Sequence, residues 1–108
     1  MYKGTIIENS LGDKSFLSKI RIDKTWKAGE WVLHSVQIPE ENISGLSEII
    51  LPGWYMHFWK EGSDNVIAVF RDKIFTIKYS DKSTWKEAVA YGKSAGIPEE
   101  QLDFLITD

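Results

Sequence analysis

The sequence predicts one α+β domain over residues 1–108: a mostly antiparallel sheet of five to six strands, a C-terminal helix packed on one face, and short helices at the margin. Three observations carry this. Trp54–Trp59, Val66–Phe70 and Ile74–Tyr79 are successive strand-like runs joined by turns, which reads as an antiparallel meander. Ile20–Trp26 and Trp31–Ile38 flank Lys27-Ala-Gly-Glu30, the pattern of a hairpin with a glycine free to take positive φ. Thr84–Ala95 repeats apolar residues at helical spacing, with Trp85, Ala88, Val89, Gly92 and Ala95 on the side that would dock on the sheet.

Taken in order, Thr5–Glu8 is short and β-branched and reads as a first strand ending at Asn9–Gly12. Asp13 is placed to cap a brief helical segment over 14–19. In the next strand Ile20, Ile22 and Trp26 fall on one face by period two, with Arg21, Asp23 and Thr25 on the other. Pro39-Glu-Glu suits the first turn of a helix, because proline lacks only an N–H that has no partner there and carboxylates favour the positive end of the dipole. Ile43, Leu46, Ile49 and Ile50 make its apolar stripe; Gly45 inside it costs about 1 kcal/mol against alanine. Pro52-Gly53 ends it. Strands at 54–61, 65–71 and 73–79 follow, with turns at 61–65 and 71–73. Before the last helix, Thr84 with Glu87 has capping-box spacing, and Asp81 or Ser83 offers an alternative cap. Gly96 supplies the left-handed stop, Pro98 starts a short second helix to Leu102, and 103–108 is an extended tail.

Composition narrows the function classes. A length of 108 residues with 43% hydrophobic and 13% aromatic content supports one core and leaves no room for a second domain. The absence of cysteine removes disulfides, thiolate zinc sites and cysteine nucleophiles, and fits a reducing, cytoplasmic setting. The opening residues carry charges on both sides of the Ile6-Ile7 pair and form no signal-peptide core, and no run approaches the ~20 apolar residues of a membrane span. Net charge is −3 with both signs spread along the chain; Lys24 with Lys27 and Lys82 with Lys86 are each offset by neighbouring carboxylates. Nucleic acid, which needs a basic stripe, is therefore not an expected partner.

No run of residues forms a catalytic, phosphate-binding or metal signature. Serines lack the Gly-x-Ser-x-Gly elbow and the eight glycines fall singly. No cofactor or metal is expected: with no cysteine, zinc would need His34 and His57 joined by distant carboxylates such as Glu8 and Asp81. Those two histidines could meet only if their strands were adjacent and in register; a hydrogen-bonded core histidine is the favoured reading of each. Along Trp54–Lys60, alternation puts Trp54, Met56 and Phe58 on one face and Tyr55, His57 and Trp59 on the other. Neither face is uniformly polar, so both are expected to be covered: one face meets the helices and the other lines a groove or a partner surface, while the plainer reading makes all six core or rim residues of a chain rich in large side chains.

Four segments resemble a family of small uncharacterised bacterial and archaeal proteins: Lys3–Leu11, Glu30–Ile38, Val69–Phe75 and the most specific, Tyr91-Gly-Lys-Ser-Ala-Gly-Ile-Pro-Glu-Glu-Gln-Leu-Asp-Phe104. The resemblance runs over nearly the whole chain. It implies a shared one-domain fold and a cytoplasmic role, and brings no activity or catalytic residue with it. The sequence thus points to a non-enzymatic module that binds a small molecule or a protein through Tyr55, His57 and Trp59, helped by Trp31, His34 or Tyr79. The alternatives are a small enzyme pairing His57 with a carboxylate such as Glu8 or Glu61, and a homodimer subunit packing its exposed rings.

Overall fold

The structure is a computed structural model and describes residues 1–102. Six strands, β1 (Tyr2–Ile7), β2 (Arg21–Ala28), β3 (Trp31–Ile38), β4 (Tyr55–Trp59), β5 (Asn65–Phe70) and β6 (Lys73–Lys78), form one sheet in the order β2-β3-β1-β4-β5-β6. Every neighbouring pair is antiparallel. The three hairpins join strands adjacent in sequence; β1 is inserted between β3 and β4 and ties the β2–β3 hairpin to the β4–β5–β6 meander. It begins three residues earlier than expected, at Tyr2. Gly4, a poor strand former, sits inside it where the Phe58 ring lies against the backbone.

Alternation assigns the side chains to two faces. On the first, Tyr2, Ile6, Val36, Ile38, Met56, Phe58, Ile67 and Val69 form a buried cluster with Leu11, Ile43, Leu46 and Ile50 from the connecting segments. The helix expected over 39–50 is two single turns, α1 (Glu40–Ile43) and α2 (Leu46–Ile49). The break falls at Ser44-Gly45, where glycine's backbone entropy opposes continuation, yet the apolar stripe still faces the core. On the second face, Trp59, Val66, Ala68, Phe70 and Ile77 share a cluster with Trp85, Ala88, Ile97 and Leu102. Trp85 precedes and Ala88 belongs to α3 (Lys86–Ser94), whose Tyr91 hydroxyl donates to the Arg71 carbonyl at 2.9 Å.

The helix start and stop are built as their residues dictate. Asp81 accepts from the Ser83 N–H at 3.0 Å and its hydroxyl at 2.6 Å, opening the turn at Lys82–Trp85 that runs into α3. Asp13 does the same with Ser15. Thr84 instead donates to the Asp81 carbonyl at 2.7 Å and receives the Lys78 N–H at 2.9 Å, so the cap belongs to Asp81. At the far end the Gly96 and Ile97 N–H groups return to Lys93 and Gly92, each at 3.0 Å, with Gly96 at φ +90°. That is the double bond pattern of a left-handed helix stop. Gly96→Ala meets no steric neighbour and is expected to cost about 1–2 kcal/mol from the backbone alone, measurable as a lower urea midpoint with unchanged slope.

Both caps hold their carboxyls below the usual aspartate range, chiefly through the hydrogen bonds from Ser83 and Ser15. The folded value lies under the unfolded one, so the stabilisation is complete above about pH 4 and drains away as pH falls through the lower folded value. Asp81→Asn keeps a competent cap at neutral pH. The double variant Asp13→Asn/Asp81→Asn is therefore expected to flatten the acid limb of the stability curve below pH 4 while leaving pH 7 stability nearly unchanged, read by denaturant titrations across that range.

Candidate functional site

One irregularity in β2 decides what lies on the open part of the second face. Arg21 pairs with Gln37 and Ile22 with Val36, but Lys24, not Asp23, pairs with Ser35, so a bulge at Asp23 adds a residue. A slip of one residue exchanges faces. Trp26 and Lys24 accordingly stand on the face opposite Ile22, overturning the expectation that Ile22 and Trp26 share a side. The same bulge turns Thr25 to the first face, beside His34.

Reading across the strands in register, the second face then carries rows of side chains. Arg21, Gln37, Lys3 and Trp59 make one row; Lys24, Ser35 and Thr5 the next; Trp26, Leu33 and Ile7 the third. Continuing the β1–β4 register brings His57 beside Thr5 and Tyr55 beside Ile7. The three β4 rings form a file, with centroids 6.3 Å apart for Tyr55–His57 and 5.6 Å for His57–Trp59. This file separates the half of the face that shares a core with α3 from the half over β1, β2 and β3.

That second half is a trough of three connected hollows. The first, about 430 Å³, is lined by Lys3, Thr5, Asp23, Lys24, Trp26, Ser35, Gln37 and Trp59. The second, about 270 Å³, shares Thr5 and Trp59 with it and adds Ile7, Leu33, Tyr55 and His57. The third, about 360 Å³, shares Ile7 and Tyr55 with the second and adds Trp31, Trp54, Ile97 and Gln101. Trp31 is 46% exposed and meets Trp54 edge-on at 5.3 Å. The Tyr55 hydroxyl donates to the Gln101 carbonyl, which fixes the floor of this end.

Within the trough the charges are unbalanced. Asp23 accepts from the Gln37 amide and from the Arg21 guanidinium, each 2.8 Å away, and these hydrogen bonds hold its carboxyl below the usual range. Lys24 lies over the Trp26 ring, 5.5 Å from its centroid. Lys3 reaches Glu61 at 3.9 Å, a contact to a side chain 90% exposed and so worth little. The Thr5 and Ser35 hydroxyls face each other across β1 and β3 and bond to no described residue. The Trp59 indole N–H is buried without an acceptor among the described residues, at a cost of about 1–3 kcal/mol.

The expected site residues are thus divided. Tyr55, His57, Trp59 and Trp31 come together along the trough. His34 lies on the opposite face: it pairs with Ile6, and β1 runs between its strand and that of His57, so the two imidazoles cannot meet. Its Nε2 is 3.0 Å from Glu8 Oε1 and its Nδ1 2.8 Å from Thr25 Oγ1. With the carboxylate accepting from Nε2–H, the other ring nitrogen accepts from the threonine. This chain links Thr25 of β2, His34 of β3 and Glu8, just past the end of β1; of the three only His34 is buried, and none of them lines the three hollows. Tyr79 follows β6, 6.2 Å from Trp85 and at the other edge of the sheet. Glu8 and Glu61, the carboxylates considered for His57, contact His34 and Lys3. Among the described residues no group of three or more His, Asp or Glu is placed to hold a metal, and no helix is long and apolar enough to cross a membrane.

Sequence reading missed Lys3, Thr5, Lys24, Trp26, Leu33 and Ser35. The polar alternation of Ser35 and Gln37 was a signal for an uncovered face; the bulge erased the corresponding signal in β2. Compared with protein-family models, curated proteins and solved structures, the chain matches none.

Proposed function

We propose that this protein is a non-enzymatic binding module whose site is the trough over β1, β2 and β3, walled by Tyr55, His57 and Trp59. The observation that carries the reading is the joining of three hollows along one ring file, with an indole or phenol at every junction. Sites of this volume with mixed aromatic and polar walls suit small organic molecules. In this reading α3 is the packed cover of the β4–β6 half, and its shortness is what leaves the other half open. A cytoplasmic protein meeting soluble metabolites is the setting that agrees with the cysteine-free composition.

The enzyme alternative gains less support. The second hollow has no carboxylate among its described lining residues, and the first has only Asp23, whose oxygens already receive Arg21 and Gln37.

A metabolite library read by melting temperature and tryptophan fluorescence tests the proposal, because a ligand that binds only the folded state raises its stability. Hits are expected to change the emission of Trp59 or Trp26 and to disappear in Ser35→Trp, which fills the trough floor. A library in which no hit depends on Ser35 would refute it.

A further inference from the structure

Resting on that reading, we infer that the occupant of the trough is an amphiphilic organic acid, its anionic head over Lys3, Lys24, Thr5 and Ser35 and its apolar body running toward Trp31. Polarity changes in one direction along the trough. Moving along β3, residues on the trough face read Gln37, Ser35, Leu33 and Trp31, polar to apolar in steps of two residues. Neighbouring strands repeat the gradient: Lys3, Thr5 and Ile7 on β1, and Lys24 then Trp26 on β2. Three strands of unrelated local sequence agree, so the floor of the trough runs from a cationic, hydroxyl-bearing end to an apolar end at Leu33, Ile7 and Trp31, with rings along its whole length.

The sign of the polar end follows from the neighbouring charges. Arg21, Lys3 and Lys24 face a single carboxylate, Asp23, with Glu61 out at the rim. In a chain of net charge −3 this is a local reversal, and it favours an anion over a cation or a neutral head. The Thr5 and Ser35 hydroxyls, which bond to no described residue, add donors where that head would sit. Ser35 and Trp31 are four residues apart, about 14 Å along an antiparallel strand. A compact anion such as phosphate would leave the Leu33, Ile7 and Trp31 stretch unused; a purely apolar molecule would strand the lysines.

Decanoate, below its critical micelle concentration, is the probe, compared by calorimetry and tryptophan fluorescence with 1-decanol, decylamine and butyrate on the full chain. Decanoate is expected to bind at least tenfold more tightly than decanol or decylamine, and butyrate at least a hundredfold more weakly, since each buried methylene contributes about 0.8 kcal/mol. Lys3→Gln/Lys24→Gln is expected to lower decanoate affinity roughly tenfold, as two partly exposed charge pairs allow, and to leave decanol unchanged. Ser35→Trp should abolish both, and circular dichroism confirms that each variant is folded. Equal binding of decanoate, decanol and decylamine, all blocked by Ser35→Trp, would overturn the acid assignment and leave the trough as the site. Decanoate binding indifferent to the lysine and Ser35 variants would overturn it as well, by placing the molecule elsewhere. Absence of decanoate binding alongside Ser35-dependent library hits defeats the inference alone; absence of any Ser35-dependent ligand defeats both.

Discussion

Gly4→Ala is expected to destabilise the fold by about 3 kcal/mol, the upper end of the range for forcing one methyl into a packed core. Gly4 lies mid-strand in β1, which is hydrogen-bonded on both sides, to β3 and to β4. A methyl there would run into the Phe58 ring and come within 2.8 Å of the His57 carbonyl oxygen. The ring is fully buried among Ile6, Val36 and Ile38, so it has nowhere to turn. The carbonyl belongs to the strand-pairing backbone and cannot yield without breaking the ladder. Reduced entropy of the unfolded alanine chain returns only about 0.4–1 kcal/mol, too little to offset the clash. Gly45→Ala gives the contrast: its φ of −68° is already helical and its new methyl would meet only the Asn42 carbonyl, at 3.7 Å. That change should stabilise by up to about 1 kcal/mol. Urea unfolding of the pair measures both, and a Gly4→Ala loss under 1 kcal/mol would mean that Phe58 has a second rotamer open to it.

The same strand explains where sequence reading stopped. Local signals identified the hairpin partners, the ring alternation of β4 and the Gly96 helix stop, because each depends on residues within a few positions of one another. The place of β1 depends on pairing with Trp31–Ile38, 26 to 36 positions away, and with Tyr55–Trp59, 54 to 56 positions away, and nothing in Tyr2–Ile7 names those partners. With β1 between the two histidine strands, His34 and His57 do not meet, which composition alone did not reveal. The trough was hidden for a different reason. Its ring wall was legible from the alternation in β4, but its cationic side depends on the Asp23 bulge, and a two-residue period read through a bulge assigns every later side chain to the wrong face. The tail over 103–108, expected to be extended, lies outside the described residues.

Ser35→Trp is expected to weaken ligand binding by more than a hundredfold while changing stability by less than about 1 kcal/mol, a separation that few other positions allow. Ser35 is central on the trough floor, between Thr5 on β1 and Lys24 on β2, and lines the largest of the three hollows. An indole there occupies the space a ligand needs for its head and blocks the passage between the cationic and apolar ends. The strand itself tolerates the change: aromatic residues suit half-buried sheet positions, and the serine hydroxyl gives up no bond to a described residue. The new ring would rest against Leu33 and the Lys24 stem without entering either core cluster. Thr76→Trp, on edge strand β6, supplies the same side chain away from the trough and should leave binding at the wild-type level. Titrating one fluorescent library hit against the three proteins decides the matter: equal affinities for Ser35→Trp and Thr76→Trp would place recognition off this face, because only one of the two indoles stands where the molecule must lie.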